Sequence, residues 1–152
     1  MKILSTAVLC GCIILCSLSV SAQNDVPINQ PDLNKPKLFS DLPDRITFNP
    51  SQLVNLFNLQ LGETATIPLT DSFSLIGTVV STANNSNAVS VVIRSTKRPG
   101  ARLTFTRVTN DDNTIKYIGR IMSLQHGDTY EIMAENNHYY FQKKSLYDLV
   151  NE

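Results

Sequence analysis

Ala88-Val89-Ser90-Val91-Val92-Ile93-Arg94-Ser95, then Thr96-Lys97-Arg98-Pro99-Gly100, then Ala101-Arg102-Leu103-Thr104-Phe105-Thr106-Arg107-Val108-Thr109 is the passage on which the fold turns. Leu103 and Phe105 alternate with Thr104 and Thr106, and Val89, Val91 and Ile93 face away from Ser90 and Arg94. A period of two puts alternate side chains on opposite faces, so each run reads as a strand with one buried face. Between them, Pro99 presets φ and Gly100 accepts positive φ, which is turn chemistry. The passage therefore predicts an antiparallel hairpin.

The same grammar extends in both directions. Leu75 to Thr82, Thr114 to Ser123, Thr129 to Glu135 and His138 to Lys143 are further β-rich runs. Asn84-Asn85-Ser86-Asn87, Asn110-Asp111-Asp112-Asn113, Gln125-His126-Gly127-Asp128 and Asn136-Asn137 separate them with residues that tolerate tight turns. Upstream, Ile46 and Phe48 suggest a short first strand from Arg45, and Thr64 to Leu69 another, with Pro68 marking an edge or a strand end. Ser51 is a plausible N-cap for a short helix over residues 51–58, with Leu53, Val54, Leu56 and Phe57 on one face. Ser145 to Glu152 reads as a second short helix, with Leu146, Leu149 and Val150 on its apolar side. The expected fold is mainly β: an antiparallel meander that hides its edges by closing into a small barrel or a two-layer sandwich. Gly77 and Gly119 fall inside strand runs, where glycine marks a bend or bulge more often than a ligand contact.

The N-terminus has a different character. Lys2 precedes an apolar run from Ile3 to Val20, and Val20-Ser21-Ala22 places small side chains before Gln23. This reads as a signal peptide cleaved after Ala22, too short for a membrane span, so a secreted or periplasmic location is expected, with no transmembrane segment in the mature chain. All three cysteines, Cys10, Cys12 and Cys16, lie in this segment and fit a lipid-anchor site poorly, so a disulfide-free soluble domain is expected. Residues 23–44 carry four of the seven prolines and read as an extended lead-in, with Leu38 and Phe39 as the anchor at its end. Residues 45–152 are then one β-rich domain.

Charge and motifs exclude more than they select. Thirteen basic residues balance thirteen acidic ones, and loss of Lys2 leaves the mature chain near minus one, which argues against nucleic acid as a partner. No metalloprotease helix motif, phosphate-cradling glycine loop or nucleophile elbow occurs. A non-enzymatic domain without a cofactor is expected. His126 and His138 are too few for a metal site, and Asp111 and Asp112 are explained by their turn. The distinctive surface feature is a basic hairpin tip formed by Arg94, Lys97, Arg98 and Arg102, with Arg107 and Arg120 on neighbouring strands. It suits an anionic partner, but with the net charge balanced, solvation of an exposed tip that guards a sheet edge is the favoured reading. Tyr140 is the aromatic that alternation sends outward, opposite to Tyr139 and Phe141.

Gly119-Arg120-Ile121, Tyr130-Glu131-Ile132 and Tyr139-Tyr140-Phe141, in this order after two hairpins, make the region from Phe73 to Phe141 similar to the β-rich prodomain of reprolysin-type secreted metallopeptidases. The expected mature chain lacks the cysteine with which many such prodomains block the catalytic zinc, and a free-standing domain without a following peptidase domain is expected. The resemblance implies a domain that binds a partner by shape. The first functional expectation is thus an exported β-domain that binds an extracytoplasmic protein, with a peptidase as the partner the resemblance suggests. A strand edge can do this by main-chain hydrogen bonds alone. The second is a module for carbohydrate or cell-envelope glycan, built on the basic tip and Tyr140. The third is a small barrel enclosing an apolar ligand.

Overall fold

The computed structural model describes residues 35–146. The expected signal peptide, most of the expected lead-in and the expected C-terminal helix beyond Leu146 lie outside the described residues. Eight strands form one antiparallel sheet: β1 (Arg45–Phe48), β2 (Thr64–Pro68), β3 (Ser74–Asn84), β4 (Ala88–Ser95), β5 (Ala101–Thr109), β6 (Ile115–Ser123), β7 (Asp128–Glu135) and β8 (His138–Ser145). β2 to β8 are neighbours in chain order, and β1 adds beyond β8. The sheet curls into a half-barrel whose two edges are β1 and β2.

Both edges are short. β1 has four residues and runs into Asn49-Pro50, and β2 ends at Pro68, which cannot donate to a further strand. The chain crosses from one edge to the other through residues 49–63. The helical element expected near 51–58 is present there, wound as two 3-10 turns, Pro50–Gln52 and Val54–Asn58. Its cap is Asn49, not Ser51: the Asn49 side chain accepts from the Ser51 N–H at 3.0 Å. Asn49 holds extended φ/ψ before Pro50, and proline favours the first helical position, so the element starts one residue early. Leu53 and Leu56 are buried from this crossing, and Phe57 stacks on Phe105 with centroids 5.0 Å apart.

The concave face holds the core. Cross-strand register aligns Val79, Ile93, Leu103, Ile121 and Tyr130 in one row around the curl. A second row runs Val91, Phe105, Gly119 on one side and Ile132, Phe141, Ile46 on the other. Rows of inward side chains are what the period of two requires. Two devices provide the curvature. A bulge at Val80 shifts the β3–β4 register between Val79 and Ser81. Gly77 and Gly119 let neighbouring strands approach closely, since a Cβ on either would meet the next strand's carbonyl oxygen, at 2.4 Å (Arg94) and 2.2 Å (Thr104). The half-barrel interior is filled by aromatic and aliphatic side chains, Phe105, Phe141 and Tyr130 among them.

The described end of the lead-in packs as part of this body. Phe39 is 1% exposed and Leu42 is buried. Phe39 meets the Tyr130 ring at 5.6 Å, and its N–H donates to the buried Asp128 carboxylate at 2.8 Å. The Tyr130 hydroxyl donates to the Pro43 carbonyl, and burial pushes that hydroxyl's pKa up to about 12. Lys143 Nζ donates to the Leu42 carbonyl, and the His126 ring bonds the Pro36 carbonyl at 2.9 Å.

Candidate functional site

The basic residues singled out in the sequence do not act as a group. Arg98 folds back onto the lead-in. It donates to both carboxylate oxygens of Asp41, at 2.8 and 2.5 Å, and to the Leu38 carbonyl, and its guanidinium lies 4.4 Å from the Phe73 ring centroid. Arg107 lies over Phe57, and Arg120 pairs with Glu131 at 3.3 Å. Arg94 and Arg102 stand directly opposite each other on β4 and β5, exposed with Lys97, and these three make no ion pair among the described residues. Tyr140 does point outward as alternation requires, but its ring is covered by the Arg45 guanidinium at 3.6 Å, so that face is taken. The turn carboxylates serve their turn: Asp112 accepts from the Thr114 N–H and hydroxyl, which hold its pKa below the usual range, and Asn113 takes φ 63°.

Arg98 hydrogen bonding holds the Asp41 carboxyl below the ordinary carboxylate value. A lowered folded-state pKa contributes stability that is complete above the unfolded value, about 4, and is lost as pH falls through the folded one. Because Asp41 is largely exposed, the effect is small, less than about 1 kcal/mol. Limited proteolysis at the lead-in is therefore expected to quicken only below about pH 4, and Asp41→Asn should show the quicker rate at neutral pH. Equal rates for both proteins at pH 7 would mean that the pair does not fasten the lead-in.

A different feature breaks the regularity of the sheet. β6 pairs with β5 at nine positions and β7 with β8 at eight, yet β6 and β7 pair at only four, Ser123↔Asp128 through Arg120↔Glu131. Beyond Arg120 and Glu131 the two strands diverge. The Asn110 N–H donates to the Thr114 carbonyl, and the Thr109 N–H to that of Asn87, which fixes the alternation across β5. By that alternation Lys116, Ile118 and Arg120 turn their backbone groups toward β5, while Tyr117 and Gly119 turn theirs toward β7. On β7, Ile132 and Ala134 turn theirs toward β6. None of these four has a ladder partner across the opening. One donor is caught by a side chain: the Tyr117 N–H donates to the Tyr139 hydroxyl, at 3.4 Å, with the two rings edge to face.

The divergence has a local cause. At Gly119 the missing Cβ lets β6 lie hard against Thr104 and Phe105 of β5. On the other side, Asn136 and Asn137, at φ 49° and 63°, form the tight turn that keeps β7 on β8 to its end. Each hairpin coils as a unit, and the join between them opens. The resulting groove, of about 870 Å³, is lined at its mouth by Ile118, Met122 and Met133 with Lys116, Arg120, Glu131 and Lys144. Ile118 is 42% exposed and Met133 36%, so the mouth of the groove carries apolar surface. Glu131 sits between Lys144 (2.9 Å) and Arg120 (3.3 Å). Burial alone would raise its pKa, but those two cations outweigh it and hold the carboxylate ionised.

Gly119 and Tyr139 were noticeable in the sequence, as a strand glycine and a strand tyrosine, but nothing there shows where a ladder stops. The outward Ile118 and Met133 were the available signal. Among the described residues, no three His, Cys, Asp or Glu side chains come together to hold a metal ion, and no helix is long and apolar enough to cross a membrane. The chain matches no protein-family model, no curated protein and no solved structure.

Proposed function

We propose that this chain is an exported, non-enzymatic β-domain that binds a protein partner by accepting an extended segment of it between β6 and β7. The observation that carries this reading is the pair of facing strand edges, Tyr117 and Gly119 against Ile132 and Ala134, left without a ladder. A strand edge binds through regularly spaced main-chain donors and acceptors, which an incoming extended peptide matches without special side chains. This opening is favoured over β1 and β2, which are cut short by Asn49-Pro50 and Pro68. The prodomain-like order of strands and tyrosines makes a peptidase the first partner to try. The filled half-barrel interior gives no support to an enclosed apolar ligand. A glycan or cell-envelope role rests on Arg94, Lys97 and Arg102 alone, since Arg98 and Tyr140 are occupied by Asp41 and Arg45.

The test is to close the opening. With Ile118→Cys and Met133→Cys in the chain from Gln23 onward, which has no other cysteine, a short bifunctional thiol reagent would tie β6 to β7. The uncapped variant is expected to recover a stoichiometric protein from the extracytoplasmic fraction, and the tied form to lose it at least tenfold. Equal recovery by both forms, or none by either, would defeat the proposal.

A further inference from the structure

Resting on that reading, we infer that the segment taken up between β6 and β7 is acidic, with apolar residues alternating with carboxylates. The mouth of the opening carries three cations, Lys116, Arg120 and Lys144, and one carboxylate, Glu131. This local excess stands out on a chain whose formal charge is zero. Glu131 already serves Arg120 and Lys144, and Lys116 has no ion-pair partner among the described residues.

Geometry places these charges where an added strand would read them. Lys116, Ile118, Arg120 and Met122 alternate with the inward Tyr117, Gly119 and Ile121, so the outer face of β6 reads basic, apolar, basic, apolar. Met133 continues the apolar surface from β7. A strand pairing with β6 sets its own outward side chains beside these at one strand's spacing. An outward carboxylate would then lie beside Lys116 or Arg120, and an outward valine or leucine beside Ile118. An outward lysine at the same positions meets like charge, which cross-strand pairing penalises. The Arg94, Lys97 and Arg102 tip is the rival anion site, but it lies on the β4–β5 turn and offers no unpaired ladder and no apolar surface between its charges.

The experiment uses the full chain and three eight-residue synthetic peptides, with valine at alternate positions and glutamate, serine or lysine between them. Binding is read by fluorescence anisotropy at low salt and again at high salt. The glutamate peptide is expected to bind about tenfold more tightly than the serine peptide, as two or three partly exposed ion pairs allow. That margin should shrink at high salt. Lys116→Glu should remove the margin and improve the lysine peptide. The amide signals of Gly119, Ile132 and Ala134 should shift on binding. If the serine peptide binds as well as the glutamate peptide while those amides shift, the acidic preference is wrong and strand uptake stands. If no peptide binds, strand uptake at this opening fails as well. If the glutamate peptide binds but is lost in Arg94→Ser/Lys97→Ser/Arg102→Ser and not in Lys116→Glu, the anion site is the hairpin tip and the inference is overturned.

Discussion

Gly119→Ala is expected to cost about 3 kcal/mol or more of folding stability, a large effect for one methyl group. The new Cβ would sit 2.2 Å from the Thr104 carbonyl oxygen and 3.2 Å from the Phe105 Cα. Both are backbone atoms of β5, so no rotamer change can relieve the clash. Either β6 moves off β5, opening a nine-position ladder, or β5 moves into the crossing segment beneath it. Gly77→Ala should behave similarly, because its Cβ would meet the Arg94 carbonyl oxygen at 2.4 Å. Gly62→Ala is the contrast: nothing lies within 4 Å of its Cβ, and only the positive φ of 88° is strained. It should cost about 1 kcal/mol. Urea denaturation of the three variants checks the order. A Gly119→Ala protein within about 0.5 kcal/mol of the parent would mean that β6 does not coil tightly onto β5. The proposed cause of the β6–β7 divergence would then be lost as well.

How far the sequence carried can be judged element by element. The ends of β4 and β5 were legible to the residue, because Lys97-Arg98-Pro99-Gly100 and Asn110 to Asn113 admit little but a turn and the flanks alternate strictly. The same is true of β8's inward Phe141 and outward Tyr140. Alternation reports which face a side chain takes, however, and not how long two strands remain paired. The β6–β7 opening follows from the balance between two coiling hairpins, so it was not legible. Nor was the fate of Arg98: its partner Asp41 lies 57 positions away, and only the folded chain brings them together. Curvature was half legible. Gly77 and Gly119 read as bends or bulges, whereas the structure uses them for close strand approach and sets its bulge at Val80, and whether eight strands close into a barrel depends on what fills the gap between β1 and β2, here the turns at residues 50–58.

Phe39→Ala is expected to lower stability by about 4 kcal/mol, the cost of emptying a ring-sized site in a packed core. A lead-in that merely tethered the domain would make this change nearly silent, within about 0.5 kcal/mol as for surface positions. The ring is 1% exposed, lies against Tyr130 and has the Arg98 guanidinium 6.0 Å away. Its loss leaves a void beside Asp128, whose carboxylate depends on the Phe39 N–H and on Lys37, 3.8 Å away. Asp128 and Tyr130 belong to the four positions where β6 and β7 do pair. The lead-in therefore grips β7 and the turn that joins it to β6, where His126 bonds the Pro36 carbonyl, at the end opposite the opening, as a clasp holds one end of a split ring. Urea denaturation of Phe39→Ala measures the cost, and amide exchange at Ile121 and Tyr130 locates it. Faster exchange at those two positions than at Leu103 would show the clasp at work. A loss of stability spread evenly over the sheet would show that Phe39 fills the core without holding β6 to β7.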